Sequence, residues 1–216
     1  MVTEFAIAEV TPGRLNALVK NIMQQTGATD PNEAVRLVNS GEWIVSKLVR
    51  QWRVGEDGVI YFSVTSDGTL GEKWIGRLED KGVGSYAKRL LLSPDFKPTS
   101  GVTYEVAVLP GSLFEDSDRI TSKIRAIAYE RKLTKPNAEL ACLIREKFTN
   151  QEIEAMGLWG IVAMHEPIKA SDGDPCLLTA NRSGSDGLGA YCGKPDKRWS
   201  RDGGFAFVVS QVSPQN

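Results

Sequence analysis

The chain is poor in the side chains that catalysis and metal binding use most often. Its 216 residues include one histidine, His165, and three cysteines, Cys142, Cys176 and Cys192. A single histidine excludes mechanisms that need a histidine pair, and it excludes the two-histidine H-E-x-x-H zinc motif. Three widely spaced cysteines form neither a disulfide framework nor a zinc motif, which favours a reducing compartment.

Long apolar runs and phosphate-binding motifs are missing as well. No stretch approaches the roughly 18 apolar residues of a membrane span, and the N-terminus lacks the pattern of a secretory signal. No P-loop, G-x-G-x-x-G or G-x-S-x-G sequence occurs. A formal net charge of -1 argues against a dedicated nucleic-acid binder. We expect a cytoplasmic protein without a membrane span or a nucleic-acid partner, with surface display through a partner as the alternative.

Apolar periodicity and turn residues predict an α+β fold. Helices are expected from Pro12 to Gly27, from Pro31 to Gly41, and over 71–80, 85–92, 118–133, 138–148 and 150–156. Strands are expected over 58–64, 102–109, 158–164, 176–180 and 205–209, the last one inside a sheet. Segment 95–101 holds two prolines and a glycine and is the predicted linker between a helix-rich region, 1–98, and a second domain, 99–216.

The segment 181–204 has an unusual composition. Of its 24 residues, 15 are Asn, Asp, Ser, Gly, Tyr or Cys, and Tyr191 and Trp199 stand among them. This predicts a loop longer than a plain connection between strands needs. Antibody loops combine rigid aromatic side chains with small polar ones for recognition. A surface loop with both aromatic side chains packed inward is the equal alternative.

Four stretches of the C-terminal half carry a resemblance to a known family. They are Leu-Leu-Thr-Ala-Asn-Arg at 177–182, Leu-Gly-Ala-Tyr at 188–191, Pro-Asp-Lys-Arg-Trp at 195–199 and Gly-Phe-Ala-Phe-Val-Val at 204–209. Their order resembles the C-type-lectin fold of the formylglycine-generating-enzyme type. The ending is similar to the variable proteins of diversity-generating retroelements, of the kind found in candidate-phylum bacteria.

In those systems a reverse transcriptase rewrites adenine positions near the 3′ end of a gene, so that AAC-type codons come to encode Asn, Asp, Ser, Gly, Tyr or Cys. The resemblance implies a C-type-lectin-like domain over 99–216 with a variable face at 181–203. It implies binding of a variable macromolecular ligand, expected to be a protein, without a cofactor. The copper-binding cysteine pair of the sulfatase-modifying enzymes is not matched, so no catalytic residue is carried over. The implied ligand-binding residues are Asn181, Ser183, Ser185, Asp186, Gly187, Gly189, Tyr191, Cys192, Gly193, Asp196, Trp199, Ser200, Arg201, Asp202 and Gly203.

Two other functions stay open. One is an enzyme on the same scaffold that uses His165 with Glu166, Asp172 or Asp174; the plainer interpretation is a strand-end histidine bonded to a loop. The other is a structural protein of a phage or mobile element. Asp172 and Asp174 also have the carboxylates for a calcium ion, although a plain turn fits their spacing better. Four side chains in apolar stretches are expected in the core: Trp74, Cys142, Trp159 and Cys176.

Overall fold

The computed structural model describes residues 11–42, 51–170 and 173–209. Contacts divide the chain into two compact units, Met1–Arg50 and Gln51–Asn216. The boundary expected after residue 98 is therefore wrong. The strands on either side of it pair over seven register positions, from Ile60 opposite Val108 to Asp67 opposite Ser100, so segment 95–101 lies within the second unit.

The described part of the first unit consists of two helices, α1 (Pro12–Thr26) and α2 (Pro31–Asn39). Helix α1 ends at Gly27, whose φ of 73° is the left-handed conformation that glycine adopts without strain. Helix α2 begins after Asp30, whose carboxylate accepts hydrogen bonds from the backbone N–H groups of Asn32 and Glu33. Both predicted helices are confirmed.

The second unit is a mixed α+β structure, which confirms the expected fold class at that level. Its helices are α3 (Gly71–Arg77), α4 (Ser85–Leu91), α5 (Thr121–Glu130), α6 (Leu140–Lys147) and α7 (Asn150–Ala155). The strands of its described residues are β1 (Arg53–Val54), β2 (Ile60–Asp67), β3 (Ser100–Pro110), β4 (Leu133–Thr134), β5 (Gly160–Ala163), β6 (Ile168–Lys169), β7 (Pro175–Asn181), β8 (Leu188–Cys192) and β9 (Gly203–Val209). The expected helices and strands are all present, and β1, β4, β6 and β8 are additional.

All these strands form one sheet in the order β1-β2-β3-β9-β5-β7-β6, with β4 beside β9 and β8 beside β7. Strand β9 is antiparallel to β3, with Val208 opposite Val106, and parallel to β5, with Ala206 beside Ala163. The last strand thus lies inside the sheet, as expected. It joins the β1-β2-β3 part to the β5-β7-β8 part.

The two faces of the sheet carry separate cores, because successive strand residues point to opposite sides. Helices α3, α4 and α6 cover one face, where Phe62 meets Phe148 edge to face at 4.8 Å. Helix α5 packs on the other face against Phe205 and Phe207 through Ile124 and a small alanine. Among the expected core residues, three are buried: Trp74, Cys142 and Cys176. No helix of the described residues has both the length and the apolarity that crossing a membrane requires.

Candidate functional site

A cleft of about 400 Å³ opens on the α5 face of the sheet, over β5, β7 and β8. One side is formed by the segment between β8 and β9. The lining residues from the strands and their ends are Trp159, Gly160, Val162, Thr179 and Tyr191. The lining residues from the segment before β9 and the start of β9 are Lys197, Arg198, Trp199, Ser200, Asp202 and Gly203.

Three aromatic side chains form the walls of the cleft. Trp159 is 41% exposed and Tyr191 is 37% exposed, while Trp199 is half-buried. The prediction that Trp159 lies in the core is wrong, because the side chain falls just before β5, at the edge of the cleft. Partial burial raises the pKa of the Tyr191 hydroxyl above its ordinary value.

Trp199 is the wall residue that the fold holds in place. Its ring meets Phe205 at 5.9 Å, with 68° between the planes. The indole N–H donates to the Thr121 hydroxyl at 2.9 Å, and the Trp199 backbone N–H donates to the Arg119 carbonyl at 2.8 Å. The sequence left open whether the two aromatic side chains are exposed or packed inward. One edge of the Trp199 ring packs inward and another lines the cleft, whereas the Tyr191 side chain is exposed.

The segment before β9 is fastened at several points. At the start of α5, the Thr121 N–H donates to the Lys197 carbonyl and the Ser122 N–H to the Pro195 carbonyl. At the other side, the Trp159 N–H donates to the Asp202 carbonyl at 2.8 Å. The backbone of this segment is therefore held at both ends. The exposed Arg198 side chain is also held, because its guanidinium donates to the Asp116 carbonyl at 2.8 Å.

The floor of the cleft contains a hydroxyl without a hydrogen bond. Thr179 is 2% exposed, and its Oγ1 has no partner among the described residues. An unsatisfied buried polar group costs about 1–3 kcal/mol. No feature of the apolar run 176–180 distinguishes Thr179 as a site residue, so sequence reasoning missed it.

Burial divides the fifteen residues that the sequence suggests for ligand binding into three groups. Seven are exposed: Ser185, Asp186, Tyr191, Asp196, Ser200, Arg201 and Asp202. Four are intermediate: Ser183, Cys192, Trp199 and Gly203. The remaining four are buried and do not belong to a surface: Asn181, Gly187, Gly189 and Gly193.

The buried members have structural contacts that explain their identity. A Cβ on Gly187 would collide with the Lys81 carbonyl, and one on Gly193 would lie 2.8 Å from the Leu177 side chain. The Asn181 amide donates to the Asp186 carbonyl at 3.1 Å and approaches the Tyr191 hydroxyl at 3.4 Å. These residues support the surface from beneath.

His165 has both ring nitrogens engaged. Its Nε2 accepts from the Leu178 N–H at 3.0 Å, so the proton lies on Nδ1 and is donated to the Glu166 carbonyl at 2.6 Å. The side chain is 1% exposed, and burial lowers the pKa of the imidazole from 6.5 to about 4. The strand-end histidine bonded to a loop is confirmed.

The described carboxylates near His165 form ion pairs with lysines. Glu166 pairs with Lys135, which lowers the pKa of that carboxyl, and Asp174 pairs with Lys194 at 3.0 Å. Asp172 lies outside the described residues. Within 11–42, 51–170 and 173–209, no three His, Cys, Asp or Glu side chains come together as metal ligands.

The sequence matches no protein-family model, and neither a curated protein nor a solved structure is significantly similar to it.

Proposed function

We propose that this protein binds a macromolecular ligand, expected to be a protein, through the cleft and the exposed side chains around it. One observation carries the proposal. Five of the fifteen residues suggested by the sequence line a single cleft, on a backbone held by the sheet and by α5: Tyr191, Trp199, Ser200, Asp202 and Gly203.

The chemistry of the cleft suits protein recognition. Aromatic side chains supply a large contact area at small entropic cost and dominate the energy of many interfaces. Here Trp159, Tyr191 and Trp199 surround the opening, and Lys197 and Asp202 add charges of both signs at its rim. A pre-formed concave surface lowers the ordering cost of binding.

We further propose that a diversity-generating retroelement rewrites this surface, and that the domain is C-type-lectin-like. The order of β7, β8, the segment before β9 and β9 supports the C-type-lectin-like domain. The exposure of seven of the fifteen residues supports the rewriting of this surface, because surface substitutions away from packing usually change stability by only about 0.5 kcal/mol. Variation is then confined to the exposed members and to the intermediate members other than Trp199, whose ring packs against Phe205.

Sequencing this gene across its source population tests the proposal. We expect substitutions at template adenines in the codons of the exposed residues, including Ser185, Asp186 and Ser200. The codons of Asn181 and Gly189, together with those of 51–170, should stay constant. Equal variation across the gene would remove the retroelement from the proposal. Variation concentrated at the buried codons would contradict the assignment of the surface.

No observation favours a second function. The engaged nitrogens and burial of His165 leave no imidazole edge facing a cleft, so we do not propose the enzyme alternative.

A further inference from the structure

Cys176 and Cys192 lie directly opposite each other on the neighbouring antiparallel strands β7 and β8. Cys192 belongs to the fifteen residues that the sequence suggests for ligand binding, but neither cysteine lines the cleft. Both are thiols in the structure. Because residues directly opposite in a sheet point to the same face, the two side chains are neighbours on the face opposite the cleft.

The hydrogen bonds on either side define the kind of pair that they form. The Gly193 N–H donates to the Pro175 carbonyl at 2.7 Å, and the Asn181 N–H donates to the Gly187 carbonyl at 2.7 Å. Opposed pairs alternate along an antiparallel ladder between hydrogen-bonded and non-hydrogen-bonded, so the cysteine pair is non-hydrogen-bonded. Such pairs have Cα atoms about 4.5 Å apart, within the range of about 4.4–6.8 Å that a disulfide needs.

We propose that Cys176 and Cys192 form a thiol–disulfide site that closes reversibly into a cross-strand disulfide. The co-reactant is a low-molecular-weight or protein disulfide. The thiolate of Cys192, which is the more exposed residue, attacks one sulfur of that disulfide and releases a thiolate. The thiolate of Cys176 then attacks the Cys192 sulfur and releases the second thiolate. The two cysteines lose two protons and two electrons, and the external disulfide is reduced to two thiols.

The position of the pair gives the bond a mechanical role. The Leu188 end of β8 is held from two sides, by β7 and by backbone hydrogen bonds to Gly82 and Gly84. The Cys192 end pairs with β7, and no other strand of the described residues pairs with it. A disulfide would fasten this end, next to Tyr191 of the cleft.

Oxidation of the full-length protein with oxidised glutathione tests the site. After the oxidised protein is unfolded and its remaining thiols are alkylated, the intact mass should show loss of two hydrogen atoms and a single alkylated cysteine, Cys142. Trypsin cleaves after Arg182, so a disulfide would hold together two peptides that otherwise separate. The oxidised protein should also have a higher Tm than the reduced protein.

Two variants serve as controls. Cys142→Ser removes the buried thiol of α6 and should leave the linked peptides and the Tm increase unchanged. Cys192→Ser should abolish both, and glutathione should leave Cys176 as a thiol. The proposal is overturned if the wild-type protein retains glutathione on Cys192, forms only covalent dimers, or stays fully reduced while the urea-unfolded chain oxidises. None of these results depends on whether the cleft binds a ligand.

Discussion

Gly189 and Gly203 both belong to the suggested variable set, but their surroundings differ. A Cβ at Gly189 would lie 2.5 Å from Nδ2 of the fully buried Asn181, whereas one at Gly203 would meet the Ser200 carbonyl at 3.5 Å. Gly189→Ala should therefore lower the free energy of unfolding by about 1–3 kcal/mol, the usual cost of overpacking. Gly203→Ala should change it by less than about 0.5 kcal/mol. Urea unfolding of the two variants measures this; equal effects would contradict the division of the set.

His165 makes the stability of the fold depend on pH. The folded chain binds a proton at this ring only near pH 4, whereas the unfolded chain binds one near pH 6.5. Stability is therefore fully present above about pH 6.5 and falls as the pH decreases toward 4, by about 3 kcal/mol from this residue.

Carboxylates also titrate in that interval, so a variant isolates the histidine. In His165→Gln, the decrease in the free energy of unfolding between pH 6.5 and 4 should be smaller than in the wild-type protein by that amount. Chemical denaturation at a series of pH values gives both curves. Parallel curves would mean that the imidazole is protonated in the folded protein.

At the scale of the elements, the segment before β9 depends on its attachment to α5. The hydrogen bond from the Trp199 indole to the Thr121 hydroxyl is one of those attachments. Thr121→Val and Trp199→Phe should each lower the free energy of unfolding, with about 1 kcal/mol due to this bond. Because both remove the same bond, the double variant should lose less than the sum. A strictly additive result in urea unfolding would show that the bond contributes nothing.

The helices were the predictable elements, and β8 was the least predictable one. Capping residues such as Asp30 and Thr149 determine helix starts locally, and the Thr149–Glu152 capping box is present as its spacing implies. Strand β8 has small residues and a glycine, Gly189, and its composition predicts a loop. Its pairing with β7 overrides that composition, and pairing over a distance leaves no local signal.

The floor and one wall of the cleft were missed for a related reason. Thr179 lies in a buried strand and Trp159 beside another, so both have the apolar neighbours of core residues. Whether a side chain faces a helix or an opening depends on where α5 ends on the sheet. That is a property of packing rather than of either segment. The exposure of the polar residues in the segment before β9 was predictable, because Gly, Ser and Asp are typical of turns and surface loops.

For the whole molecule, the boundary at residue 50 predicts which fragment folds. A fragment of residues 51–216 should unfold cooperatively, with a Tm close to that of the same unit in the full chain. A fragment of residues 99–216 lacks β1, β2, α3 and α4, and with them Trp74 and Leu90 of the core. It should show no cooperative transition. Circular dichroism during heating compares the two fragments, and a folded 99–216 fragment would restore the boundary that the sequence suggested.

The boundary predicted after residue 98 was misplaced because proline and glycine indicate a turn in the chain. They do not indicate whether the turn joins two domains or two strands of one sheet. The segment 95–101 has the composition of a linker, yet the Thr99 N–H donates to the buried Glu139 carboxylate and the Lys97 carbonyl accepts from Asn137. These contacts fix it against the residues just before α6.

The central position of β9 has a consequence for mutations that truncate the chain before this strand. A stop codon or frameshift anywhere in 181–202 removes the strand that joins the two parts of the sheet. The truncated product keeps β3 and β5 with one edge each unpaired, and such edges attract proteases and chaperones. If this segment of the gene mutates often, each product that has lost β9 would therefore expose unpaired strand edges and be removed. If the segment is diversified as proposed, every variant that folds has kept its reading frame as far as β9.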